Sequence, residues 1–335
     1  MAVVPINILK YFMKNNKTNR EKFRAAIIGA GQIGAFYDSP ESKDILTHAH
    51  AYRSHPDFEL AGFVDIDKKK SKSAAKIWGT KAYSCLKELF NQEIIDVASI
   101  CAPDASHYEI IKELKKYKIK AGIIEKPLTD NLIESKKIVN DAYIKNNFLV
   151  NYSRRYVAEY QNLAARVKKG EFGEFLHGAG LYGKGLLRNG SHLVDLLSFF
   201  GIDFNQIQIV AKFVDYLPSD PTYSILARRK DEYFFNFQAV PKKNYNIFEA
   251  DLVFAKGRLK FLDNGARIEE YKIGQDLTYK ADRILYLHRT YKTGLNRAIY
   301  RAVDNLYKVI LGEEKPMCAV QDAFAAQKFC QSIDK

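Results

Sequence analysis

Three glycines at the spacing G-x-G-x-x-G (Gly29, Gly31 and Gly34) directly follow the apolar run Ala25-Ala26-Ile27-Ile28. The first permits a tight turn out of a strand. The second has no Cβ, so the main chain can come close to a pyrophosphate. The third lets a following helix pack on the strand with its N-terminal N–H groups toward the phosphates. With Gln32 and Ile33 between them, these residues suit a dinucleotide. A second apolar run from Phe58 to Val64 ends at Asp65, where a carboxylate can accept hydrogen bonds from the adenosine ribose hydroxyls. That charge would repel a 2′-phosphate and favours NAD. Lys68, Lys69 and Lys70 just downstream keep NADP as the second candidate. The gap from the glycines to Asp65 exceeds the usual ~20 residues. An insertion spanning roughly 36–47, with the loop signals Asp38-Ser39-Pro40 and Glu41-Ser42-Lys43, accounts for the excess.

The elements that must hold these residues alternate over the first 150 positions. Strand candidates lie at 24–29, 58–64, 81–83, 94–101, 121–125 and 147–151, with helical patterns such as 105–117 and 131–146 between them. Such alternation predicts a parallel, doubly wound sheet, with ligands at the carboxyl ends of its strands. Those ends carry Gly29 to Gly34, Asp65, Ala102-Pro103-Asp104, Glu125-Lys126-Pro127 and Asn151. After Tyr152 the texture changes. A helix over 156–169 precedes strands near 174–183, 205–214, 222–229, 231–240, 246–255, 257–263 and 266–273, interrupted by a helix over 191–200. Ala255-Lys256-Gly257-Arg258 signals a hairpin. The tail over 290–332 reads as helical, and its last helix is expected to return to the first domain. The fold class is therefore an α/β Rossmann domain plus an α+β domain with an open, mainly antiparallel sheet. The expected divisions are an N-terminal extension (1–22), a dinucleotide-binding domain (23–151) and a substrate and oligomerisation domain (152–335).

Composition excludes several classes. The chain has 335 residues, 47% hydrophobic and 27% charged, as in ordinary soluble proteins. No apolar run approaches the ~18–20 residues of a membrane span. The apolar start from Ala2 to Leu9 has no basic region before it and no small-residue cleavage site after it, so a secretory signal is not expected. Residues 1–22 are expected to form a loose tail or short helix, and Met13 is an alternative start. Cys85, Cys101, Cys318 and Cys330 lack metal-ligand spacing and read as reduced thiols of a cytoplasmic protein. His48, His50 and His55 lie close together without a carboxylate pattern, so no metal site is expected. His48 is expected to border the cofactor cleft. The net charge of +13 is scattered over many helices, which argues against nucleic acid and fits a field attracting an anionic cofactor and substrate.

Ile124-Glu125-Lys126-Pro127, Cys101-Ala102-Pro103-Asp104-Ala105-Ser106-His107, Asn151-Tyr152-Ser153-Arg154-Arg155-Tyr156 and Gly190-Ser191-His192-Leu193-Val194-Asp195 occur in that family's order: together they resemble the glucose–fructose oxidoreductase / inositol dehydrogenase (Gfo/Idh/MocA) family. The resemblance covers nearly the whole chain from Arg24. It implies an NAD(P) cofactor, a sugar, polyol or nucleotide-sugar substrate, and a homodimer or homotetramer. It places Lys126 beside the nicotinamide and the reacting carbinol, joined to Pro127 by a peptide that is often cis in the family. It places Glu125 near the nicotinamide ribose, His107 near the cofactor and His192 as acid/base. The chemistry of the residues agrees. Removing the carbinol proton needs a base near neutrality, which an imidazole supplies. His192 sits in the first turn of a helix, where the dipole disfavours its protonation. Lys126 can stabilise the developing alkoxide.

The sequence departs from the family at one functional position. Many members carry an Asp four residues before the His, where this chain has Arg188 followed by Asn189. The stretch from Tyr182 to His192 looks more like members linked to surface-polysaccharide pathways. Arg188 and Lys184 are expected to hold an anionic substrate group and Asn189 a hydroxyl, which favours a nucleotide-linked, phosphorylated or acidic sugar. Arg154 and Arg155 are expected to divide the work, one facing the substrate and the other holding the domain junction. Two alternatives stand beside the oxidoreductase reading. One is an NAD-dependent glycoside hydrolase with transient redox; the other is a non-catalytic NAD-binding sensor or scaffold.

Overall fold

The computed structural model describes residues 22–229 and 233–333; the tail expected over 1–22 lies outside them apart from Lys22. In the first domain the strands are β1 (Phe23–Ile28), β2 (Phe58–Val64), β3 (Lys81–Tyr83), β4 (Val97–Ile100), β5 (Ala121–Ile124) and β6 (Phe148–Val150). They form one parallel sheet in the order β3-β2-β1-β4-β5-β6. Its helices are α1 (His48–Ser54), α2 (Lys68–Trp78), α3 (Leu86–Gln92), α4 (His107–Lys116), α5 (Leu132–Asn140) and α6 (Ala142–Asn147). β4 and β5 are buried along their whole length, as expected of strands covered on both faces. The strand order reverses between β1 and β4, and that switch point opens the ligand crevice.

Two helices differ from expectation. The helix after the glycines is a single turn, Gln32–Phe36, because the inserted segment with Pro40 follows at once. The Asp38 carboxylate organises that insertion, accepting from the Leu46 N–H at 2.6 Å and facing His50 Nδ1 at 2.9 Å. The helix expected over 131–146 breaks at Asp141. Its side chain accepts from the Tyr143 and Ile144 N–H groups (3.1 and 3.2 Å) and so starts a new helix.

The second domain begins with α7 (Ala158–Lys168), β7 (Phe175–Tyr182) and α8 (Ser191–Phe199). The strands β8 (Gln206–Leu217), β9 (Asp220–Arg229), β10 (Tyr233–Ala239), β11 (Phe248–Phe254), β12 (Gly257–Leu262), β13 (Arg267–Gln275) and β14 (Arg283–Lys292) follow, then α9 (Ala298–Ile310) and α10 (Val320–Gln331). The sheet order is β14-β13-β12-β11-β7-β10-β9-β8, antiparallel except for the β7–β10 pair. Buried and half-buried residues alternate strictly along β11 and β12, the signature of a sheet with one face on the core. The expectation of a helical tail from residue 290 is corrected: β14 occupies its first positions, and the helices start at Ala298. α10 lies against α5 and β6. There Gln327 accepts from Ser135 Oγ at 2.8 Å and donates to the Thr129 carbonyl at 3.0 Å.

Candidate active site

The three glycines carry different loads. Gly29 has φ +101°, and a Cβ on it would lie 2.4 Å from the Ala102 nitrogen. A Cβ on Gly34 would lie 2.5 Å from the Gly29 carbonyl oxygen. Both are required for β1, the turn and β4 to pack. A Cβ on Gly31 would meet nothing within 4 Å, so Gly31 faces open space on the ligand side. Asp65 fixes this turn: its Oδ2 accepts from the Ala30 N–H and its Oδ1 from the Asp67 N–H, both at 2.8 Å. Lys68, Lys69 and Lys70 are exposed on the first turn of α2, which Asp67 caps. Ile66 beside Asp65 is 95% exposed, an uncovered apolar side chain at the adenosine end that sequence reasoning passed over. An open space above Gly31, next to the Asp65 carboxylate, fits a dinucleotide.

From the glycine turn a cleft of about 520 Å³ runs past Ile33, Ala102, Pro103, His107 and Lys126 to Lys184, Arg188, Asn189 and Tyr216. A second lobe of about 280 Å³ shares Ile33, Glu125 and Lys126 and reaches Asn151 and His192. Lys126 therefore stands where the two lobes meet. The Lys126–Pro127 peptide is cis, and the ammonium donates to the Arg188 carbonyl across the cleft. Burial pushes Lys126 down to about 8; Lys184 and Arg188 add to the effect, and Glu125 and Asp220 oppose it. His192 lies edge-on to Tyr152, with ring centroids 5.5 Å apart. Burial, then the charges of Lys126 and Arg154, hold its imidazole well below the ordinary histidine value. That shift favours the neutral imidazole.

Glu125 is clamped. Its Oε1 lies 2.9 Å from His48 Nε2 and accepts from Asn151 Nδ2 at 2.6 Å. Burial raises its pKa, but His48, Asn151 and Lys126 together outweigh that and keep it below the usual carboxylate value. His48 is fully buried and bonds Ser99 at its other nitrogen (2.9 Å). It thus grips Glu125 from behind, where sequence reasoning had it bordering the cleft. His50 turns to Asp38, and His55 packs among Phe58, Tyr300 and Tyr307, so the three histidines take separate partners. His107 sits between the Ala102 and Leu128 carbonyls (2.9 and 3.2 Å) and braces the two cofactor-side turns.

On the substrate side, Asn189 donates to the Gly183 carbonyl at 2.8 Å. Arg188 reaches the cleft, but its guanidinium is held by Asp104 at 3.1 Å and lies 3.8 Å from Asp220. Its charge is thus largely spent within the protein. Asp220 also accepts from the Leu187 and Arg188 N–H groups (2.8 and 2.9 Å), so a carboxylate from β9 stands beside the position where the sequence lacks one. Arg154 is buried over the Phe248 ring (3.4 Å) and donates to the Asn264 carbonyl. Arg155 binds Asp195 at 2.8 Å and Asp322 at 3.2 Å, tying α8 to α10. Asp220 and Tyr216 were missed, and Asp104 was read only as part of a strand-end turn; its pairing with Arg188 shows in the structure alone.

Residues 23–152 match the profile of the oxidoreductase family with an NAD-binding Rossmann fold, GFO_IDH_MocA. This dinucleotide-binding segment, less than half of the chain, is thus similar to the Gfo/Idh/MocA oxidoreductases. Inositol 2-dehydrogenase of Pseudarthrobacter chlorophenolicus is 31% identical over 159 residues, 47% of this chain and 44% of that protein. The match thus spans less than half the length of this curated relative. Solved structures extend the likeness of fold to the second domain. UDP-N-acetylglucosamine 3-dehydrogenase from Acidithiobacillus ferrooxidans superposes with a TM-score of 0.72 at 15% identity, over 94% of this chain and 97% of that one. The WlbA dehydrogenase from Bordetella pertussis, in complex with NADH and UDP-GlcNAcA, gives 0.73 at 16%, over 95% and 96%.

Proposed function

We propose that the chain is an NAD-dependent oxidoreductase acting on a carbinol or carbonyl of a sugar, with nucleotide-linked, phosphorylated or acidic sugars as the favoured class. The observation that carries this reading is Lys126 at the junction of two lobes, with the dinucleotide-fitting turn at one side and the unprotonated His192 at the other. When bound, the nicotinamide supplies the hydride acceptor or donor. Gly29, Gly31, Gln32, Ile33 and Gly34 would hold the pyrophosphate and Asp65 the ribose, with Ala102, Pro103 and the clamped Glu125 along the nicotinamide side. His192 takes the proton of the carbinol O–H. Lys126, charged below about pH 8, stabilises the oxygen as negative charge develops there. Among similar proteins, the name inositol 2-dehydrogenase supports a sugar or polyol substrate in general, and UDP-N-acetylglucosamine 3-dehydrogenase a nucleotide-linked one.

Mixing the protein with NAD and a panel of polyols, sugar phosphates and nucleotide sugars tests the reading, monitored by the absorbance of reduced nicotinamide. Reduction with one member is expected. Sugar release without accumulation of NADH would instead indicate the hydrolase, and tight NAD binding with no turnover the sensor. NAD should bind more tightly than NADP.

We also read the protein as a cytoplasmic homo-oligomer. Among the described residues no helix is long and apolar enough to cross a membrane, and the four cysteines are free. The two edge strands of the second sheet expose Ile207, Ile209 and Val210 on β8 and Ile284, Leu285 and Leu287 on β14, apolar surface of the kind that marks a protein interface. Leu287→Glu should lower the mass seen by light scattering; an unchanged mass would place the interface elsewhere.

A further inference from the structure

At the outer end of the cleft, two loops are drawn together by one carboxylate. Asp215 Oδ2 accepts from the Lys184 N–H at 2.6 Å and Oδ1 from the Lys242 N–H at 2.7 Å. The next residue, Tyr216, is 45% exposed and lines the same cleft as Lys126. Lys184 Nζ lies 5.1 Å and Lys242 Nζ 4.4 Å from the centre of its ring. Lys184 adopts φ +70°, a left-handed conformation that is costly for a residue with a Cβ, and the Asp215 bond helps hold it there. Both lysines are half-buried, and neither ammonium has a carboxylate partner among the described residues. Arg188, by contrast, is already paired with Asp104. Lys184, which lines the cleft, and Lys242, which shares the Tyr216 ring with it, therefore carry positive charge that no carboxylate spends. Two like charges that share a ring repel each other, and a multivalent anion within reach of both relieves that repulsion. A phosphate ester has the charge and the acceptor oxygens to bridge both ammoniums.

We propose that Lys184, Lys242 and Tyr216 form a subsite for a phosphate ester group of the substrate, at the end of the cleft remote from His192. The proposal rests on the dehydrogenase reading and narrows its substrate class: the reacting sugar carries a phosphate or diphosphate, and Arg188 is not its main ligand.

Calorimetric titration of the NADH-saturated protein tests it, with UDP and glucose 1-phosphate as probes and uridine and glucose as their uncharged counterparts. At least one phosphate-bearing probe should bind tenfold or more tightly than its counterpart, and which one does so separates a nucleotide-linked from a simple phosphorylated sugar. Lys184→Ala and Lys242→Ala should each weaken that binding about tenfold, the scale of one charge-assisted contact, while Lys242→Arg retains it. NADH affinity should not change in any variant. Phosphate probes that bind no better than their counterparts, or alanine variants that bind them like the parent, would overturn the subsite. Failure of NADH to bind at all would instead strike the dehydrogenase reading.

Discussion

The ammonium of Lys126 donates to the main-chain carbonyl of Arg188, linking the turn after β5 to the turn that leads into α8. Arg188 thereby touches the site in two ways, since its guanidinium closes on Asp104 from the first domain. The carbonyl survives any substitution at 188, and the guanidinium does not. Its positive charge helps to depress Lys126, so Arg188→Ala should let Lys126 hold its proton to higher pH. In the parent, loss of the ammonium should make kcat/KM for alcohol oxidation fall above about pH 8. In the variant that basic limb should move upward. His192, held well below the ordinary histidine value, should contribute no acid limb near pH 6.5. A basic limb in the same place for both proteins would separate Arg188 from the electrostatics of Lys126.

Gly31→Val should abolish dinucleotide binding and leave the fold intact. A side chain there meets no protein atom within 4 Å at its Cβ and projects into the space assigned to the pyrophosphate. Titration by NADH fluorescence and a melting curve on the same sample check both halves. Gly34→Val would not serve, because its Cβ collides with the Gly29 carbonyl.

Asp65→Ala should narrow or reverse the preference for NAD over NADP. Because Asp65 also accepts from the Ala30 N–H, the variant should lose about 1 kcal/mol of stability as well. Parallel titrations with NADH and NADPH measure the first effect and denaturant unfolding the second. An NADP preference of tenfold in the parent protein would mean that the lysines at the start of α2 outweigh Asp65.

The first domain was legible because its signals are local. Strand, glycine turn and capped helix lie close together in sequence, and the strand ends gather Gly29, Asp65, Glu125 and Lys126 by topology alone. The insertion over 36–47 was visible from Pro40 and its polar neighbours, but the shortening of the preceding helix to one turn was not. β14 escaped notice because Arg283–Lys292 is an exposed edge strand. With no face buried, its charged and apolar residues carry no clean period of two. The site was legible as a set of side chains and illegible as a set of partnerships. Arg188 looked like a substrate ligand until Asp104, 84 positions away, proved to hold it. Lys242 gave no signal until Asp215 drew its loop onto Tyr216. The first pairing depends on how two domains meet and the second on how two loops of one sheet converge, and a single sequence encodes neither locally.

Turnover by Lys126→Met and His192→Asn, measured with the sugar that the panel identifies, tests the proton-handling pair most directly. Losing a positioned acid/base typically costs ~10²–10⁴-fold in rate, so each variant should fall by that order while NADH affinity stays nearly unchanged. The double variant should be far less than multiplicatively worse, because both groups serve one proton transfer. Full activity in His192→Asn would remove the imidazole from the chemistry, and full activity in Lys126→Met would contradict the central assignment.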